Sequence, residues 1–170
     1  LHLGGTSDPL YYSLMPLTNL VRMQNLVLPW NLRTDYSPIA NMTQMRNACL
    51  QGLNDINIIS GMTQLEQLVL GNSAITDITP LQNMPNLSRL TLCWTNVGDL
   101  TALMGLYQLT FLDVRNTPLS REASSEQIPL IIANNPGIEL VYDEPEWYTL
   151  FLSSTQGGSV VTPGEGQFEY

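Results

Sequence analysis

The chain repeats itself, and that constrains its fold more than any other feature. Segments beginning at Leu20, Met42, Met62, Met84 and Leu106 share one pattern, offset by 22, 20, 22 and 22 residues. Residues 62–83 read MTQLEQLVLGNSAITDITPLQN and residues 84–105 read MPNLSRLTLCWTNVGDLTALMG. A fixed period of this length builds a stacked solenoid rather than a closed globule. Solenoids bind along a surface and seldom carry out chemistry, so function is bounded early.

Within a unit the apolar spacing changes partway. In 62–83 the apolar positions are Leu65, Leu68, Leu70, Ile75, Ile78 and Leu81, and in 84–105 they are Leu87, Leu90, Leu92, Val97, Leu100 and Leu103. The Leu-x-Leu pair has the period of a strand. The later residues fall every three, which suits a 3₁₀ turn or an extended leg better than an α-helix. Each unit therefore reads as a short strand, a turn and a tight return, with its strand pairing in parallel to those of its neighbours. One unit alone buries too little to offset the entropy of ordering its backbone, so stability must come from stacking and from capped ends.

Polar residues recur as well. Asp35, Asp55, Asp77 and Asp99 each precede the apolar residue of the return leg, and Pro16, Pro38 and Pro80 follow that position by two. The aspartates read as turn formers bonding nearby backbone N–H groups. A metal ladder is the functional alternative, but each unit offers one carboxylate and no second ligand type. Asn31, Ser73, Thr95 and Thr117 stand where a polar side chain can satisfy the turn backbone. The 20-residue unit has Leu53 there, which predicts an irregularity around 51–56.

These motifs carry a resemblance. The pattern Leu-x-x-Leu-x-Leu-x-x-(Asn/Ser/Thr)-x-(Ile/Val)-x-Asp-(Ile/Leu)-x-Pro-Leu resembles the 22-residue leucine-rich repeat of bacterial internalin-like surface proteins. It covers about residues 1–119 and is strongest over 62–103. Leu1 and Leu3 look like a partial first unit, so the N-terminus reads as a cut. The resemblance implies an α/β fold: a right-handed leucine-rich-repeat solenoid with a parallel sheet on its concave face and 3₁₀ or extended legs on the convex side.

Beyond Leu119 the pattern gives way to a cap. Residues 124–135 (SSEQIPLIIANN) read as a helix with a serine cap, in which Pro129 is tolerable only in the first turn. Ile138–Asp143 read as a last strand. The expected organisation is a leucine-rich-repeat domain over 1–143 capped by 120–143, a linker at 144–146, and a module over 147–170. That last stretch, with its Gly-Gly and Pro-Gly turns, is similar to the opening of the β-rich repeats that follow leucine-rich repeats in such surface proteins, cut short at Tyr170.

Charge excludes several functions. Residues 1–121 hold seven acids and six arginines, whereas 122–170 hold eight acids and no base, for a total of −9. No dense basic stripe exists to engage nucleic acid or anionic lipid. No apolar run is long enough to insert in a membrane. His2 lacks a recognisable Ser or Cys partner, phosphate-binding glycine motifs are missing, and Cys49 and Cys93 do not have zinc spacing. No catalytic residue, metal site or cofactor is expected. By register the two cysteines stand two strands apart, about 10 Å, which exceeds disulfide reach.

Strand alternation places the residues between and beside the leucines on the outer face of the sheet. That set is Asn25, Val27 and Pro29; Asn47, Cys49 and Gln51; Gln67, Val69 and Gly71; Arg89, Thr91 and Cys93; Phe111, Asp113 and Arg115. Trp30 and Trp94 share the next position along. Trp, Tyr and Arg are the usual anchors of protein interfaces. Trp30, Trp94, Phe111, Arg89 and Arg115, with Gln67 and Val69 beside them, are the candidate partner-binding residues. The plainer alternative is that the tryptophans pack at the sheet edge as structure and the arginines pair with Asp113. In internalin-like proteins the concave face is the usual binding site, so the resemblance implies that face. The expected function is non-catalytic recognition of a protein by a monomeric module of a cell-surface or secreted bacterial protein. A structural spacer and a carbohydrate-binding adhesin recognising a glycan are the alternatives.

Overall fold

The computed structural model describes residues 13–28 and 35–143. Their frame is one parallel sheet of three-residue strands in chain order: β1 (Asn25–Val27), β2 (Asn47–Cys49), β3 (Gln67–Val69), β4 (Arg89–Thr91), β5 (Phe111–Asp113) and β6 (Glu139–Val141). The register follows the repeat. Leu26, Ala48, Leu68, Leu90, Leu112 and Leu140 stand opposite one another on successive strands. Just past each strand the ladder continues, with Leu28 N–H on the Cys49 carbonyl at 2.9 Å, Leu50 on Val69 at 2.8 Å and Leu70 on Thr91 at 2.9 Å.

Across from the sheet run 3₁₀ turns at Met15–Leu17, Ser37–Ile39, Ile56–Ile59, Thr79–Asn83 and Thr101–Leu103. Leucines from the strands and isoleucines, leucines and methionines from the return legs meet in one apolar column running from Leu14 to Ile131. At 0–1% exposure, Leu68, Leu90 and Leu112 have no remaining contact with water, so the stacked coils share one core.

The recurring aspartates start the 3₁₀ turns. Backbone N–H groups two residues on donate to the carboxylates: Ser37 to Asp35 at 2.8 Å, Asn57 to Asp55 at 3.0 Å, Thr79 to Asp77 at 2.8 Å and Thr101 to Asp99 at 2.8 Å. The hydroxyls of Ser37, Thr79 and Thr101 donate to the same carboxylates and hold those of Asp35, Asp77 and Asp99 below the usual carboxylate range. Pro16, Pro38 and Pro80 fall at the first positions of their turns, where a missing N–H costs nothing.

The hydroxyl positions also act as the spacing predicts. Ser73 donates to the Leu70 carbonyl at 3.0 Å and Thr95 to that of Leu92 at 2.8 Å, while Thr117 donates to that of Val114. The short unit solves the same problem with backbone. Leu53 N–H donates to the Leu50 carbonyl at 3.1 Å, and Gly52 takes φ +83°. Counted back from the turn aspartate, Leu53 stands where Ile75 and Val97 do, and it is fully buried. The two-residue deletion thus removes the polar turn position, not the apolar one.

The C-terminal cap differs from the sequence reading at its start. Helical turns begin at residue 121, not 124, and the capping serine is Ser120, whose Oγ accepts from Ala123 N–H at 3.0 Å. A π-helical stretch at Ala123–Gln127 leads into α1 (Ile128–Asn134). Pro129 therefore lies inside the helical run, directly after the wide turn. A proline ring collides with the carbonyl four residues back, and the wider π turn accommodates it. Gly137, at φ +84°, turns the chain after the helix into β6. Residues 1–12 and 29–34, the linker at 144–146 and the module at 147–170 lie outside the described residues, and with them Pro29, Trp30, Asn31 and His2.

Candidate partner-binding surface

The outer face of the sheet consists of rows that cross the strands. The first is Asn25, Asn47, Gln67, Arg89, Phe111 and Glu139, and the second is Val27, Cys49, Val69, Thr91, Asp113 and Val141. In the first row, Asn47 Nδ2 donates to Asn25 Oδ1 at 2.6 Å, leaving Asn47 Oδ1 buried without a partner. Gln67 is exposed and Val69, in the second row, is half-buried.

Of the candidate residues, four converge around β4 and β5. The Arg89 guanidinium carbon sits 4.3 Å above the centre of the Phe111 ring, directly across from it in register. Arg115, just beyond β5, is committed differently. Its Nε donates to Asp113 Oδ1 at 3.0 Å and its Nη2 to Asp113 Oδ2 at 2.7 Å. This fork holds the Asp113 carboxyl below the usual range and pushes Arg115 up. Asp113 was expected on the exposed face, but it is 4% exposed, covered by Arg115. Gly71, expected there too, is also buried. A side chain at Gly71 would meet the Cys93 carbonyl oxygen at 2.8 Å, so the next coil closes over it.

Trp94 is the fourth. It is 60% exposed and its backbone sits at φ +60°, a left-handed conformation that bulky residues avoid. The cause lies in the coil geometry. At the equivalent turn position Gly52, Asn72 and Asn116 take φ of +83°, +57° and +54°. Here the chain leaves the ladder: Asn72 N–H donates to the Cys93 carbonyl at 3.1 Å and Trp94 N–H to that of Arg115 at 3.0 Å. Gly and Asn are the residues suited to that conformation, and Trp is not.

The thiols of Cys49 and Cys93 are free, half-buried and pushed up by that burial. Cys49 pairs in register with Val69, one strand short of Thr91, and Cys93 follows Thr91 by two residues. Among the described residues, no cluster of His, Cys, Asp and Glu is arranged to hold a metal ion, and no helix is long and apolar enough to cross a membrane.

The residues that sew the cap to the last coils carry no periodic signal. Gln127, 5% exposed, accepts Leu100 N–H at 2.6 Å through Oε1 and donates to Asp99 Oδ1 at 2.8 Å. Asn135, 4% exposed, accepts Leu109 N–H at 2.9 Å and donates to the Leu106 carbonyl at 2.8 Å. The left-handed turn row did have a signal, since Gly and Asn recur at its positions.

No protein-family model matches the chain, and no curated protein sequence is significantly similar to it. Solved structures are similar. The crystal structure of the internalin InlF from Listeria monocytogenes str. 4b F2365 aligns with a TM-score of 0.65 at 27% identity over 76% of this chain. That of the internalin C2 (InlC2) from the same strain aligns with a TM-score of 0.64 at 25% identity over 80% of this chain. The chain spans 37% of the first and 61% of the second, less than two thirds of either. With its parallel strands in chain order, its 3₁₀ return legs and its C-terminal helix, the chain is an internalin-like leucine-rich-repeat solenoid.

Proposed function

We propose that the chain is the recognition module of a cell-surface or secreted protein. It acts as a monomer and without catalysis, binding a protein partner through the concave face of its sheet around β4 and β5. The observation that carries this reading is Trp94. A large aromatic ring is kept 60% exposed at φ +60°, where the neighbouring coils use Gly or Asn. Strain of that kind persists only where the surroundings enforce it, and it collects at functional sites. Arg89 lies on β4, which Trp94 follows, Phe111 on β5 with Arg115 just beyond it, and Gln67 and Val69 on β3, so the anchors form one patch on a preformed surface. Such a surface limits the ordering cost of association. Trp30, at the same repeat position three units earlier, belongs to the proposal by sequence alone.

The test is affinity capture from the native environment by the wild-type protein, by Trp94→Ala and by Val69→Glu. A protein captured by the first and lost with both variants supports the reading. An empty capture, or one indifferent to both changes, favours a spacer. The exposed indole stands between the register neighbours Asn72 and Asn116, both exposed. An aromatic face flanked by amides also suits a sugar ring, and a glycan array answers that alternative.

A further inference from the structure

Two arginines serve the outer face around β4 and β5, and the structure uses them in opposite ways. Arg115 is neutralised: both of its described side-chain bonds go to Asp113, which is buried beneath it. Arg89 is exposed and, among the described residues, no carboxylate pairs with it. What holds it is the Phe111 ring, 4.3 Å from its guanidinium carbon. Around it on the face stand Gln67 in its row on β3 and Val69 and Thr91 in the next, and the one acid beside Thr91, Asp113 on β5, is already paired with Arg115. The nearest acid in its row is Glu139, two strands away on β6.

A guanidinium stacked on a ring is fixed in plane by an attraction to the ring's negative face, and that contact uses none of its in-plane N–H donors. Those donors remain available as a flat, charged fork. A fork of this shape matches a carboxylate through two parallel hydrogen bonds. Polyanions are a poor match. A nucleic acid or an anionic lipid surface needs many cations together, and here one is available on a chain of net charge −9.

We infer that Arg89, held by Phe111, is the specificity element of the concave face and reads a single carboxylate on the partner. The inference rests on the concave-face reading above. The carboxylate comes from an acidic side chain or from a chain terminus, and it sits beside an apolar or aromatic residue that covers Val69 and Phe111. Arg115 is kept out of this role by Asp113, so around β4 and β5 the face presents Arg89 as its one cation not paired with a carboxylate among the described residues. A ligand with its acid displaced toward Arg115 meets a cation already paired with Asp113.

The test uses display selection of random peptides on the wild-type protein, with parallel selection on Arg89→Glu. The peptides are then synthesised as C-terminal amides and as free acids, and Kd is measured for each. Enrichment of Asp or Glu on wild type, replaced by Lys or Arg on Arg89→Glu, is the expected result. In a double-mutant cycle, Arg89→Gln weakens the acidic peptide about tenfold and leaves its Glu→Gln or Asp→Asn counterpart unchanged. Phe111→Leu keeps the charge but frees the fork, so it weakens the acidic peptide several-fold more than the neutral one. If affinity tracks the free terminal acid and not the side chain, the carboxylate is a chain end. Peptides that bind, are lost on Val69→Glu and show no acid preference overturn the role of Arg89 and leave the concave-face reading standing. Peptides indifferent to Val69→Glu overturn that reading itself.

Discussion

Replacing Trp94 by Asn and, separately, by Ala separates what the indole does for folding from what it does for binding. Both changes remove the ring. With 60% of Trp94 exposed, the covered part is on the order of 100 Å², which at about 25 cal/mol per Å² is about 2.5 kcal/mol. Some of that contact persists in the unfolded chain, so the real loss is smaller. Against it stands the backbone at φ +60°. An L-residue in that region costs about 1–2 kcal/mol, and Asn tolerates it through local hydrogen bonds. For Trp94→Asn the two effects oppose each other, and the net change falls within about 1 kcal/mol of zero. Trp94→Ala loses the ring without relieving the backbone, so it should be less stable than the Asn variant by about 1 kcal/mol. Urea unfolding followed by circular dichroism reads that difference as a midpoint shift of about 0.5 M. Neither variant should retain the partner captured by wild type. If the Ala variant equals or exceeds the Asn variant, the left-handed turn is not what Trp94 strains against. If both lose more than about 3 kcal/mol, the indole is a packing element on the scale of a core side chain and its exposure is incidental.

Other outcomes follow from the coil contacts. Gly71→Ala places a methyl 2.8 Å from the Cys93 carbonyl oxygen and 3.2 Å from its sulfur; it should cost about 1–3 kcal/mol in urea unfolding, whereas Gly105→Ala, with open space around it, should cost under about 1 kcal/mol. Asn135→Ala strands the buried Leu109 N–H and Leu106 carbonyl that its amide serves; about 2–4 kcal/mol should be lost, and hydrogen exchange at Leu109 should accelerate. The Asp113 carboxyl is held low by the Arg115 fork, so the folded state takes up that proton at lower pH than the unfolded chain. Its contribution is complete above the ordinary carboxylate range and drains as pH falls through the lowered folded value. Tm should therefore fall on acidification, and Asp113→Asn should flatten that fall; an unchanged slope would assign acid sensitivity to the turn carboxylates of Asp35, Asp77 and Asp99 alone.

Legibility from sequence followed the range of the interactions. The expectation for Asp35, Asp77 and Asp99 held because each bonds a backbone N–H two residues away, within its own unit. Ser73 and Thr95 were readable for the same reason. The start of the cap was misplaced because Ser120, Ser124 and Ser125 all stand near it. Ser120 wins through its position beneath the last coil, and the π turn that admits Pro129 has no local signature. Asp113 was placed on the exposed face correctly as to side, but its burial depends on where a neighbouring arginine lies.

The sequence by itself determined the solenoid, its parallel register and its apolar column. A strict spacing of leucines admits only one way of bringing every unit's apolar edge against the next. The tertiary structure alone decided which polar and aromatic side chains meet between units. Gln127 reaches Asp99 across 28 residues and Asn135 reaches Leu109 across 26. Arg89 lies on Phe111 while Arg115 closes on Asp113, although composition allows either arginine to take either partner. Those choices are made by side-chain geometry once coils are stacked, and a one-dimensional pattern contains no term for them.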